Sequence, residues 1–228
     1  MQVVILGSGS PIPSPDRAGP STLVRTSVGD LLFDAGRGVS MRATAALVAA
    51  TEAMLEPDIG YRLAHHEDLD WRPATVATDV TGGVVFEEGA VRVTAGPTDH
   101  APVHPTVGYR IDDGGASVVI AGDTVPCDGL DRLCAGADVL VHTVVRRDQI
   151  EALGLPRLLD VLDYHSSVPD AARTAARNGV GTLVLTHMVP AVRPGAGQEW
   201  IDQAEGEFDG TVVLSEDLTS VEVGPAVQ

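Results

Sequence analysis

Short apolar runs, rich in β-branched residues, recur along this chain between clusters of Gly, Pro and Asp. They are Val3–Leu6, Thr22–Arg25, Leu31–Asp34, Val91–Thr94, Val107–Ile111, Ser117–Ala121, Val139–Val144, Thr182–Thr186 and Thr211–Leu214. Runs of that length and composition predict strands. Asp112-Asp113-Gly114-Gly115 falls between two of them and predicts a hairpin turn. Helical spacing is clearest from Ser167 to Asn178, where Ala and Val recur at helical intervals and Gly179 supplies a stop signal. Gln198–Phe208 is a second helix candidate, and Leu130–Cys134 a short third after the Pro126 turn. Strands come early and late, with helices between and after. The pattern predicts a layered α/β protein with mixed or mainly antiparallel pairing, not a Rossmann succession. No repeat, low-complexity tract or linker interrupts it, so one domain over 1–228 is expected.

Composition narrows the function. At 228 residues the chain is long enough to bury a large core. Against 32 acidic residues stand 15 basic ones, all of them Arg, for a net charge of -17. Such a field repels phosphate backbones at long range, so a broad basic face for nucleic acid is excluded. A local Arg or a metal could still contact phosphate. No apolar run approaches the roughly 20 residues that span a bilayer. The start, MQVVILGSGS, lacks the basic segment of a signal peptide. Cys127 and Cys134 are too few for a disulfide framework and read as free thiols in a reducing compartment. A soluble, cytoplasmic protein is expected.

Gly7-Ser8-Gly9 follows the first strand, but Pro11, Pro13 and Pro15 forbid the helix a dinucleotide fingerprint needs. A tight loop is the better reading. Three polar residues sit where apolar strands stop: His100, Asp123 and His187. Strand ends commonly deliver side chains into a site, and His and carboxylate are natural ligands for zinc. Singly, each has a plainer reading: a loop histidine, a turn cap and a core histidine. Together they are a stronger signal, though spacing alone does not settle it. His165-Ser166-Ser167 precedes the best helix, where one serine is the expected N-cap. His165 could also give a proton near a metal site. His65, His66, His104 and His142 read as non-catalytic.

These pieces resemble the metallo-β-lactamase-fold hydrolases, specifically their ribonuclease Z-like branch. The matching residues are Leu6 to Pro11 with Arg17, Leu32-Phe33-Asp34-Ala35-Gly36-Arg37-Gly38 and Thr98-Asp99-His100. Then follow Gly108-Tyr109-Arg110-Ile111, Ala121-Gly122-Asp123-Thr124, His165-Ser166-Ser167 and Thr186-His187. They keep family order over nearly the whole chain, closest to small actinobacterial-type members. The resemblance implies a four-layer αββα sandwich and two metal ions, usually zinc. It implies that His100 and His187 each hold one ion, that Asp123 bridges both, and that His165 protonates the leaving oxygen. Arg110 and Ser166 are expected to touch substrate, and Asp34 to be structural beside the site. The implied reaction is hydrolysis of a phosphodiester, as in trimming the 3′ ends of tRNA, and such proteins are often homodimers.

Two departures from the family pattern stand out. The motif Thr-His-x-His-x-Asp-His, which supplies four of the seven usual ligands, occurs nowhere in the chain. Family spacing implies that roughly fifty residues are missing near 48–51, a length that would restore an ordinary domain of this kind. After His142 the family usually has a Glu that orients the catalytic histidine; here the residue is Thr143. Three functions therefore compete: a ribonuclease Z-type phosphodiesterase, a hydrolase of small esters or cyclic nucleotides, and a metal-free binding module. Arg17, Arg37 and Arg110 are local candidates to offset the acidic charge.

Overall fold

A computed structural model describes residues 1–10, 17–34, 53–54, 56–61, 63–65 and 78–224. The chain forms two compact units, Met1–Arg37 with Thr81–Gln228, and Gly38–Val80. In the smaller unit the described residues between 53 and 65 are helical. There the His65 ring stacks on Tyr61, with centroids 4.1 Å apart, and its Nδ1 bonds the Tyr61 carbonyl at 2.8 Å. The junction near 48–51 lies outside the described residues.

The larger unit contains two sheets. In the first, β1 (Gln2–Gly7), β2 (Ser21–Arg25), β3 (Asp30–Phe33) and β11 (Ser220–Glu222) pair antiparallel in the order β11-β1-β2-β3. The second has seven strands. β4 (Gly83–Glu88), β5 (Val91–His100), β6 (Val103–Asp113) and β7 (Ala116–Ile120) form an antiparallel half. β7, β8 (Val139–Val145), β9 (Thr182–Val189) and β10 (Thr211–Leu214) form a parallel half. The expected mixed pairing is what the structure has. Gly114 and Gly115 turn the β6–β7 hairpin with φ of 60° and 91°, a backbone region that favours glycine.

Alternation along the strands sorts the core into two layers. Val3, Ile5 and Val24 of the first sheet meet Val118, Ile120, Val139, Val141 and Val184 of the second. The intervening residues, Val119, Leu140, Leu183 and Leu185, point the other way. They pack under α1 (Asp128–Cys134), α4 (Val168–Arg177) and α5 (Gln198–Glu205), through Leu130, Val168, Ala172 and Trp200. Burial on both faces explains why β8 and β9 read as continuous apolar runs. This is the two-sheet α/β architecture expected. Among the described residues of this unit no helix lies on the first sheet, so the fourth expected layer falls outside them.

The sequence reading passed over β4 and β11, both at sheet edges, one largely exposed and one only three residues long. It also passed over α2 (Arg147–Leu153) and α3 (Pro156–Leu159), too short to show helical periodicity. The best-marked helix is α4. Ser167 accepts from the Asp170 amide while the Asp170 side chain accepts from the Ser167 amide, a reciprocal capping box.

Gly7 and Gly9 serve close packing of the backbone. A Cβ at Gly7 would run into the Gly19 carbonyl, and one at Gly9 would lie 2.8 Å from the Ala18 carbonyl oxygen. That close approach supports the tight-loop reading of this segment.

His142 is fully buried on the helix side of β8, and its Nε2 has no partner. Burial pushes its imidazole down to about 4, against the smaller upward pull of the Thr143 carbonyl and of Asp123. Between that value and the ordinary 6.5, the unfolded chain binds a proton that the folded chain refuses. Stability should therefore fall as pH drops through this window, with His142 contributing roughly 3 kcal/mol of the loss. His142→Leu is expected to give a shallower fall in the urea midpoint between those pH values. An unchanged slope would refute the assignment.

Candidate metal centre

The site lies at one edge of the seven-stranded sheet. β5 and β7 both run antiparallel to β6, so their C-terminal ends share that edge with those of β8 and β9. In open α/β sheets this is where ligands bind. His100 is the last residue of β5, and Asp123 follows β7 after Gly122 turns the chain with φ of 67°. His187 lies near the end of β9 with φ of 52°, a left-handed conformation uncommon outside glycine. Its amide bonds the Ser8 carbonyl at 3.0 Å. Such strain persists only where the surroundings fix it, and it concentrates at functional sites. His165 follows the short 3-10 turn Asp160–Asp163.

The fold brings these four side chains together around Asp123. One ligand atom each from His100, Asp123 and His165 lies within 4.8 Å of the others. His165 Nε2 approaches one Asp123 oxygen at 3.7 Å, and His187 Nε2 approaches the other at 3.7 Å. Both separations exceed a hydrogen bond. They are close to the spacing of two ligands on one tetrahedral zinc, about 3.4 Å for bonds near 2.0–2.1 Å. His100 and His165 meet edge to face with centroids 4.9 Å apart.

Two of the imidazoles are oriented from behind. His100 Nδ1 bonds the Tyr164 carbonyl at 2.8 Å, and His165 Nδ1 bonds the Val161 carbonyl at 3.1 Å. A carbonyl only accepts, so each Nδ1 carries the proton and each Nε2 is left for the cluster. His187 is buried and neither of its nitrogens has a hydrogen-bond partner. A buried imidazole with both nitrogens unsatisfied is costly. A cation beside Nε2 would relieve half of that cost, so the donor set fits a divalent ion of the zinc type.

Electrostatics agree. Burial alone would raise the Asp123 carboxyl, but His165, then His187 and His100, outweigh it and hold the group well below the usual carboxylate range. Burial lowers His187, partly offset by Asp123, and so favours the neutral ligating form. Asp34 ends the β3 segment with φ of 51°. Its side chain still reaches solvent, yet crowding by the protein, and then the Asp123 charge, push it up to about 6.

Two expected site residues have other work. Arg110 was expected at the substrate, but its Nη1 donates to the carbonyls of Leu133 and Ala135 at 2.9 and 2.8 Å, and its Nε to Asp112 at 2.9 Å. It caps the C-terminal end of α1, where a cation is favourable. Ser166 is fully buried and donates to the Thr124 carbonyl at 2.8 Å, so its hydroxyl is not presented to substrate. Arg17 is also engaged, through Nη1 to Ser8 Oγ at 2.7 Å and to the Ser215 carbonyl at 2.8 Å. Arg37 lies outside the described residues.

The sequence reading missed the residues behind His187. Asp217 accepts from the Ser8 amide at 2.9 Å, from Ser8 Oγ at 2.8 Å and from the Ala18 amide at 2.7 Å. Ser8 in turn accepts the His187 amide through its carbonyl. Only a long-range contact reveals this role, and no local pattern marks it.

Comparison with known proteins agrees with this geometry. Residues 33–188 match the model of the beta-lactamase superfamily domain. The chain is 44% identical to a Ribonuclease Z of Mycobacterium tuberculosis over 270 aligned positions, covering 99% of each. It is 46% identical to that of Mycobacterium avium over 275, covering 98% of each. Among solved structures, the metallo-beta-lactamase fold protein YhfI of Bacillus subtilis superposes with a TM-score of 0.68 at 18% identity, over 98% of this chain and 99% of that one. Human tRNase Z, short form, superposes with a TM-score of 0.60 at 18% identity, over 98% and 100%. The chain thus belongs to the beta-lactamase superfamily and, within it, to the ribonuclease Z family of metal-dependent hydrolases. Alignments of 270 and 275 positions against 228 residues also mean that these relatives carry residues with no counterpart here.

Asp217→Ala should leave the Ser8 and Ala18 amides without their acceptor and loosen the segment that holds His187. The expected result is a loss of roughly 1–3 kcal/mol in urea unfolding together with weaker zinc binding. Unchanged zinc affinity would remove Asp217 from any part in the site.

Proposed function

We propose that this chain is a zinc-dependent phosphodiesterase of the ribonuclease Z type that cuts RNA at the 3′ end of tRNA. The observation that carries the reading is the convergence of His100, His165 and His187 on Asp123, in a chain so similar to proteins named Ribonuclease Z. His100, Asp123 and His187 would hold the metal, with Asp123 placed to serve two ions. Bound zinc would polarise the phosphoryl oxygens and offset their charge. His165 would pass a proton through Nε2 to the departing oxygen, its Nδ1 fixed by the Val161 carbonyl. Where the family usually has an orienting Glu, Thr143 donates instead to the Gly122 carbonyl at 2.9 Å. The backbone of Val161 takes over the orienting task. Asp34 supports the site from the end of β3. The same reading includes a cytoplasmic location and assembly as a homodimer.

One observation favours a second substrate class. The net charge is -17, and the guanidinium groups of Arg17 and Arg110 are already engaged. A small phosphodiester or cyclic nucleotide suffers less than tRNA from such a field.

Zinc-loaded protein is expected to cleave both precursor tRNA and bis(p-nitrophenyl) phosphate. Cleavage of the small ester alone would select the second class, and cleavage of neither would overturn both. Asp123→Ala should lower turnover at least roughly 100-fold and release zinc, with the far-ultraviolet circular dichroism unchanged. Retained turnover would refute the role of Asp123.

A further inference from the structure

Thr124 follows Asp123 and is fully buried. Its hydroxyl oxygen accepts the Asp99 amide at 3.0 Å, the residue immediately before His100. The same hydroxyl donates to the Val125 carbonyl at 2.8 Å. The Thr124 carbonyl accepts both the amide and the hydroxyl of Ser166, at 3.0 and 2.8 Å, the residue immediately after His165. A backbone bond from the Val125 amide to the Asp99 carbonyl at 2.9 Å closes the arrangement. His100, Asp123 and His165 come from separate segments of the chain. Each lies next in sequence to Thr124 itself or to a residue bonded to it.

We propose that Thr124 is the positioning residue that holds His100, Asp123 and His165 in mutual register for metal binding. It touches neither metal nor substrate, and it acts through Asp99 and Ser166. The Thr124 side chain is buried, and losing its hydroxyl takes from the Asp99 amide its acceptor. A shift of that amide moves the His100 ring directly. Partners that orient metal ligands from behind commonly change affinity 10–100-fold when removed. The inference rests on the metal-centre reading above, but not on the identity of the substrate.

The test compares three variants of the full chain by zinc affinity, measured by chelator competition, and by urea unfolding of the metal-free protein. Thr124→Val keeps the shape and removes the hydroxyl; it should weaken zinc binding roughly 10–100-fold. Thr124→Ser keeps the hydroxyl and should bind zinc within about threefold of the original chain, a far smaller change than outer-shell loss gives. Thr174→Val is the control: Thr174 is equally buried and donates to the Asp170 carbonyl at 2.9 Å within α4. It should lose comparable stability with zinc affinity unchanged. Thr124→Val binding zinc as tightly as the original overturns the proposal, as does an equal zinc loss in Thr174→Val or no rescue by Ser. An original chain without zinc affinity overturns it as well. Failure to cleave precursor tRNA with zinc affinity intact overturns only the substrate reading.

Discussion

A half-buried carboxylate ringed by three imidazoles is the constraint around which the rest of the larger unit is arranged. Asp123 cannot sit there ionised without partners, because burial works against its charge. The partners come from three places far apart in the chain, at positions 100, 165 and 187. Strand ends that coincide on one edge bring His100 and His187 together, and the segment after the 3-10 turn brings His165. The parallel trio β7, β8 and β9 provides that edge, and the β5–β6 hairpin adds His100 to it. The strained backbone of His187 follows from the same demand.

Much of this was legible in the sequence, for physical reasons. Strands buried on both faces leave long β-branched runs, so β7, β8 and β9 declare themselves, and a polar residue at the end of such a run is conspicuous. His100, Asp123 and His187 were found in that way. That one of Ser166 and Ser167 caps α4 was legible because capping is local, and the structure assigns the cap to Ser167. Edge strands β4 and β11 were not, since exposure removes the apolar alternation that marks a strand. Arg110 and Ser166 were assigned to substrate because their neighbours matched the family, yet their polar groups are taken by backbone carbonyls across the fold. Side-chain commitments over long range leave no trace in spacing. The work of Thr124 and Asp217 was hidden for the same reason.

The absent H-x-H-x-D-H segment and the acidic surface both bear on how much the fold can deliver by itself. The described donors surround Asp123 without that segment, so part of the centre is built into the two-sheet scaffold. Relatives that align over more positions than this chain possesses show that the family ordinarily adds further residues to the same frame. The charge of -17 then acts on what can approach, not on how the centre is assembled.

Ser8 and Asp217 join segments 209 positions apart, and β1 pairs with β11 from Gln2 to Glu222. The support beneath His187 is therefore synthesised after all four of the side chains gathered at the site. Translation proceeds at a few to some twenty residues per second, with earlier segments free to pair as they emerge. Strands β4 to β9 of the sheet carrying His100 and Asp123 can pair before Asp217 leaves the ribosome. Completion of the site thus waits on Asp217: a nascent polypeptide can hold most of the fold yet lack the brace that sets its last ligand.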